Sequence, residues 1–458
     1  MKKNKYMAIV PAVFLVFLLS SCDKYLDIEP KGQQLLETVE DYDLWLDNET
    51  LHFSGIIELS YFADHRDYYD IDDDINTIYE RAYVWADQLT DNTNSSPIWS
   101  EAYSKIYYYN AVIQDVDDAT EGTDAERESL KAEALLGRAL IYLDLTNLYG
   151  KVYNEETASE DLAVPFVTSV DVTEATPDRS TVQKMYDHIL TDITDALPGL
   201  PDDNSTNRYR GSTAAGYALL ARTYLYMGNY TLAEENAQLA LDNGPNEIYV
   251  LDEGNISDLL RRRDAILSRR PKNASSSATG ITPSLSLLQA YDTTDLRLSF
   301  RYEGYSDYSF TTRGQVSYDP LGVETGVNFY SNWGIDVAEM YLIIAEADAR
   351  NNKLTEACDN LNTVREKRFE ADDFVAFESV DQEEVLEKVL LERELEFPFS
   401  GLRWFDMRRM AAEGRMETVY RYNAAEELIS TLEPTGDRYV LQVPNQILSF
   451  NPGWTQNP

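Results

Sequence analysis

Apolar residues recur along this chain at steps of three and four, the period of a helix with one buried face. Trp99, Tyr103, Ile106, Tyr107, Asn110 and Ile113 fall on these steps and predict a helix over Trp99–Val116. Ala132, Leu135, Leu136, Ala139, Leu143 and Leu148 predict a second over Ala125–Leu148, stopped near Gly150. A third spans Thr181–Leu197, with Ser180 at its start and Pro198 at its close. Leu35–Leu46 reads as an earlier helix and Val385–Met410 as a late helical region. By contrast, residues 52–90 and 242–330 have few regular periods and many Gly, Ser, Thr, Asp and Tyr residues, and the tail from Tyr439 reads as extended and turn-rich.

Two stretches carry more than a period. Ser212–Leu241 holds Ala215, Leu219, Ala221 and Tyr224, breaks at Met227-Gly228-Asn229-Tyr230, then resumes with Ala233, Ala237 and Ala240. Small residues let two helices approach closely, and a glycine turn reverses the chain between them. Ile335–Arg365 repeats the design, with an alanine-rich first helix, the polar turn Asn351-Asn352-Lys353, and Ala357 in the second. Both resemble tetratricopeptide hairpins. The expected fold is mainly α: helical scaffold within residues 99–241 and 335–410, with irregular excursions at 52–90 and 242–330 placed to bind a ligand.

The first residues add a location. Lys2, Lys3 and Lys5 precede a short apolar run, Met7–Leu19, which ends in Leu19-Ser20-Ser21-Cys22. That ending looks like a bacterial lipobox, so residues 1–21 read as a lipoprotein signal and Cys22 as the lipidated residue of a single domain over 22–458. Several acyl chains give stable anchoring.

Charge and chemistry then narrow the function. The formal charge is −41, and −44 once Lys2, Lys3 and Lys5 are removed with the leader. Such a surface repels phosphate backbones and excludes nucleic acid as a partner. With two cysteines and three histidines in all, no zinc cluster is available. The run Asp70–Asn76 alternates acids, but Ile75 stands where a calcium loop needs glycine and Arg81 where it needs a bidentate glutamate. Nucleophile elbows, phosphate loops and dinucleotide fingerprints are missing. No catalytic residue, metal or cofactor is therefore assigned.

The motifs together resemble the SusD-like (RagB/SusD) family of surface nutrient-binding lipoproteins of Bacteroidetes. The likeness rests on Cys22-Asp23-Lys24-Tyr25-Leu26-Asp27, on Ala338-Glu339-Met340-Tyr341-Leu342 with Ala345-Glu346-Ala347, and on Leu361-Asn362, Val364-Arg365 and Arg368. Arg393-Glu394-Leu395-Glu396-Phe397, Arg403-Trp404-Phe405-Asp406-Met407-Arg408-Arg409 and the closing Val443-Pro444 and Gln456-Asn457-Pro458 continue it. Pro398-Phe399-Ser400-Gly401 departs from the usual shorter turn. The resemblance implies a non-enzymatic protein on the extracellular face of the outer membrane. It would capture an oligosaccharide and pass it to a TonB-dependent barrel transporter. Peptide capture in the same kind of system is the alternative, and a glycan-active enzyme is a third. Glu346, Arg365, Glu394, Arg403, Trp404 and Asp406 read as a buried framework rather than as ligand contacts.

Sugar capture needs aromatic rings for the apolar faces of the sugar and polar groups for its hydroxyls. The candidates are Arg66, Asp67, Tyr68, Tyr69, Trp85, Tyr305 and Tyr308, with Tyr330 and Trp333 as further platforms. For Trp85, Tyr330 and Trp333 a place in the core is an equal alternative.

Overall fold

A computed structural model describes residues 36–54, 59–94, 96–251, 260–270, 281–304, 308–318 and 331–458. Its longer helices are α1 (Val39–Leu46), α2 (Pro97–Asp115), α3 (Asp124–Tyr149), α4 (Val182–Ala196) and α5 (Thr213–Tyr226). They continue with α6 (Tyr230–Asp242), α7 (Val337–Arg350), α8 (Leu354–Arg365), α9 (Gln382–Glu396) and α10 (Leu402–Ala412). The fold is mainly α. Neighbours in sequence are neighbours in space: α2 packs on α3, α3 on α4, α5 on α6, α6 on α7, and α7 on both α8 and α9.

The capping chemistry explains the boundaries. Thr38 and Asp41 form a reciprocal capping box, so the first helix starts at Val39; Leu35, where the period placed its start, lies outside the described residues. Thr123 and Glu126 do the same for α3, whose other end is closed at Gly150 by an amide bond to the Thr146 carbonyl at 2.9 Å. In the first hairpin Gly228 takes a left-handed φ of +72°, and its amide donates to the Leu225 carbonyl at 3.0 Å. Asn352 holds the matching position in the second hairpin with φ +60°. Asparagine is among the few residues with a side chain that enter this region readily.

The close approach comes from small side chains. Ala215, Ala218, Ala221, Ala233, Ala237 and Ala240 are all fully buried between the helices of the array. At Gly137 the ring of Tyr109 lies so near that a β-carbon would sit 2.3 Å from it, which brings α2 against α3. Val385–Met410 is helical on both sides of a turn. Pro398, Phe399 at φ +57° and Gly401 at φ +87° break it into α9 and α10.

Charge ties the late helices together. Arg222 of α5 meets Glu339 of α7 at 2.5 Å, and Glu339 meets Arg393 of α9 at 3.2 Å. Arg393 reaches Asp406 of α10 at 2.9 Å; Asp406 accepts from Arg409 at 2.8 Å, and Arg409 pairs with Glu346 of α7. All six residues are buried. Burial opposes ionisation of Asp406, but Arg393 and Arg409 outweigh it and hold the carboxyl below its ordinary value. Arg365 faces Glu392 at 3.6 Å, Arg403 clamps Asp64 and Glu394 at 2.6 and 3.0 Å, and Trp404 is fully buried and stacked on Tyr439.

Short antiparallel strands fasten the irregular segments to this scaffold. Arg66–Asp67 pairs with Thr282–Pro283, Ala265–Leu267 with Ile335–Asp336, and Tyr302–Glu303 with Ser317–Tyr318. A hairpin of Val419–Tyr422 and Leu428–Leu432 follows α10. Within the long excursion, Leu287, Leu298, Tyr302, Phe310 and Tyr318 build a second small core against Leu395 and Phe399. The tail is turn-rich but also holds a short helix, Asn445–Phe450. No helix among the described residues is long and apolar enough to cross a membrane.

Candidate ligand-binding face

The loop after Phe62 is positioned by two buried arginines. Arg66 lays its guanidinium over the Tyr61 ring, 3.4 Å from the centroid, and donates to Ser60 Oγ at 3.2 Å. Arg421, on the late hairpin, donates to the backbone carbonyls of Arg66 and Ala63, each at 2.6 Å. Burial lowers the affinity of both guanidinium groups for their proton, and that of Arg66 falls to about 10. Arg66 is thus a support beneath the surface and not a sugar contact.

Asp67 is buried too. Both its oxygens accept from Arg313 at 2.7 Å, and one accepts from the Tyr83 hydroxyl at 3.0 Å. Arg313 also donates to the carbonyls of Tyr422 at 3.0 Å and Asn423 at 3.2 Å, so one side chain joins the 66–70 loop, the 308–318 segment and the hairpin. The bond to Asp67 is the main reason its pKa is raised. Asn423 extends the same joint, donating to Asp73 at 2.8 Å, while the Ala424 amide donates to the Ile71 carbonyl at 3.0 Å.

These contacts leave rings at the surface. Tyr69 is 44% exposed, and its ring covers Gly314, where a β-carbon would come within 2.6 Å. Gly314 has φ +74°, so glycine is needed there both for the backbone and for the ring above it. Tyr68 is half-buried and meets Tyr83 edge to face at 5.9 Å, and Tyr79 stacks on Tyr61 at 5.0 Å. On the hairpin, Tyr420 and Tyr422 are 52% and 37% exposed, with Tyr422 opposite the exposed Leu428. The arrangement is a set of accessible rings with carboxylates and amides beside them, which can stack on apolar sugar faces and bind hydroxyls.

The other candidates fall elsewhere. Trp85 is 3% exposed, and its indole N–H donates to the Phe62 carbonyl at 2.9 Å. It is a core ring, which corrects its placement as a stacking platform. Arg421 covers it at 4.7 Å, and Trp85 itself takes φ +52° at the end of the Ile78–Tyr83 helix. Trp333 is half-buried against the main core and closes over Gly401. Tyr308 is half-buried beside Phe310 at the edge of the second core, five residues before Arg313 in the same segment. Tyr305, Tyr330 and Cys22 lie outside the described residues.

The residues that sequence reasoning missed are Arg313, Gly314, Tyr420 and Tyr422. A signal for the tyrosines exists: Val419-Tyr420-Arg421-Tyr422 alternates with the period of a strand, and Asn423 opens a turn. Nothing local marks Arg313, because its partners are far away in the chain. Among the described residues no group of three His, Cys, Asp or Glu side chains is placed to hold a metal.

Comparison with known proteins agrees with this architecture. Residues 24–225 match the family model described as starch-binding associating with outer membrane, and residues 301–458 match that of the SusD family. The chain belongs to the SusD family. It is 25% identical over 377 residues to SusD-like protein P2 of Formosa agariphila, covering 70% of this chain and 72% of that one. A SusD superfamily crystal structure from Bacteroides thetaiotaomicron superposes with a TM-score of 0.74 at 24% identity, over 92% of this chain and all (100%) of that one. A SusD-like carbohydrate binding protein from Bacteroides vulgatus gives a TM-score of 0.68 at 18% identity, over 91% and 97% of the two chains. Membership in this family supports a nutrient-binding role in an outer-membrane uptake system.

Proposed function

We propose that this SusD-family chain captures an oligosaccharide on the Tyr69–Tyr422 face, without turning it over, and passes it to a TonB-dependent transporter. The observation that carries this reading is the cluster of exposed tyrosines that Arg313 and Asn423 hold together where the 66–70 loop meets the late hairpin. Rings such as Tyr109, Tyr142 and Tyr149 on the scaffold helices are buried in the core. The capture residues are Tyr68, Tyr69 and Tyr422, and Tyr308, Tyr305 and Tyr330 remain candidates from the sequence to be tested beside them. The protein is held at the outer membrane, on its extracellular face, by lipid on Cys22.

Calorimetry of the mature chain against plant, microbial and host glycans, alongside a peptide library, tests the ligand. Binding to peptides alone overturns the glycan reading, and release of reducing sugar overturns the non-enzymatic one. Protease shaving of intact cells, with Cys22→Ser as the control, tests the location; full protection of the parent protein overturns surface exposure.

A further inference from the structure

The ring face is surrounded by acids. Asp70, Asp72, Asp73 and Asp74 follow Tyr69 directly and are all exposed. Glu426, at the turn of the hairpin, is 69% exposed, and Asn423 spends its amide on Asp73 at 2.8 Å and Glu427 at 3.3 Å. Of the cations nearby, Arg313, Arg66 and Arg421 are paired with acids or buried, while Arg81 and Arg438 bond neutral groups. Arg313 is held by both oxygens of Asp67 and by Glu426 at 3.2 Å, and Arg66 and Arg421 are buried beneath the loop. Arg81 donates to the Gln88 carbonyl. Arg438 is exposed, but it donates to the Thr431 carbonyl, at the Tyr420 end of the hairpin and away from Tyr422 and Leu428.

From this we infer that the face selects oligosaccharides that lack carboxylate and sulfate groups, and that it gains affinity for those bearing free amino groups. The inference rests on the ring face being the ligand site. An anionic sugar placed on Tyr69 meets several carboxylates within or near one screening length, and among the described residues these outnumber Arg81 and Arg438, the guanidinium groups that bond neutral partners. A protonated amino sugar in the same place meets acceptors on both sides, from the 70–74 run and from the hairpin turn. The tyrosines supply the stacking in every case, so charge acts here as the selector and not as the source of binding.

The test uses calorimetry of the full mature chain with three tetrasaccharides: fully deacetylated chitotetraose, its N-acetylated counterpart and tetragalacturonate. Each is titrated at low and at high salt. The expected order at low salt is deacetylated, then acetylated, then the galacturonate. Because surface ion pairs are weak, the amino-sugar advantage is about fivefold at low salt and disappears at high salt. A variant with Asp70→Asn, Asp72→Asn and Asp74→Asn changes the overall charge little, so loss of that advantage reads the local site. The acetylated probe is titrated against the same variant, and the advantage is read as the ratio of the two affinities. Galacturonate binding as tightly as the acetylated probe overturns the inference, as does a triple variant that keeps the full advantage. If none of the three binds while peptides do, the glycan reading itself fails, and this inference fails with it.

Discussion

Replacing Arg313 with methionine should loosen the ring face while leaving the helical array intact. The guanidinium makes two bonds of 2.7 Å to Asp67, one of 3.0 Å to the Tyr422 carbonyl and one of 3.2 Å to the Asn423 carbonyl. Its side chain is 15% exposed and that of Asp67 is 7% exposed. Breaking a fully buried pair costs about 3–5 kcal/mol, mainly because one charge is left without a partner. Here Asp67 keeps the Tyr83 hydroxyl at 3.0 Å and the Tyr68 amide at 2.7 Å. The expected cost is therefore about 2–3 kcal/mol, below the fully buried range. In a chain this long, melting as one unit, that is a shift of only about 2–3 °C, so heat is a poor probe. Hydrogen exchange at the Ala424 amide is a better one, because its bond to Ile71 spans the same joint. Exchange there should quicken while amides within α5 and α6 keep their protection. Arg313→Met combined with Asp67→Asn should cost less than the two single changes added together. Additivity within about 0.5 kcal/mol, with unchanged exchange at Ala424, would refute the joint.

Five further outcomes follow from named contacts. Tyr69→Ala should weaken glycan binding at unchanged stability, whereas Trp85→Ala should lose about 3–5 kcal/mol in urea unfolding, because a buried indole leaves a cavity. Gly228→Ala meets no atom within 4 Å, so only its left-handed φ of +72° opposes it, at about 1 kcal/mol; Ala221→Asp, a carboxylate in a fully buried alanine site, should prevent folding, which circular dichroism reads directly. His52 is packed on Tyr209 at 4.3 Å, and burial, with Arg269 nearby, lowers its pKa from 6.5 to about 4. Its neutral form is the one folded, so its contribution is complete above 6.5 and is lost as pH falls towards 4; His52→Gln should flatten the stability curve across that window and leave it unchanged above.

The helical scaffold was legible because its signal is local. Ala215 and Leu219 recur one turn apart, small residues follow at Ala221, and Gly228 marks the reversal within the same thirty-residue stretch. The turn inside Val385–Met410 was marked by Pro398 and Gly401, whereas the left-handed backbone of Phe399 had no signal in the sequence. The ring face was legible only in part. Tyr69 stands in a polar, aperiodic run and is exposed as that setting implies. Trp85 stands in the same kind of run, yet it is buried, because Phe62 caps its nitrogen and Arg421, more than three hundred residues later, covers its ring. Arg66 and Asp67 carry charges that suggested ligand contacts, but Arg66 is spent on Tyr61 and Ser60 just before it and Asp67 on the distant Arg313. A surface assembled from residues near 69, 313 and 422 has no signature in any one window of the chain.

A crystal structure of the mature chain with a bound oligosaccharide, identified by the glycan screen, tests the ring face most directly. The expected result is a sugar ring stacked on Tyr69 or Tyr422 at about the spacing of an aromatic contact, with its hydroxyls turned to the carboxylates and amides of the 70–74 run and the hairpin turn. A ligand held elsewhere, with both tyrosines left in solvent, would contradict the assignment.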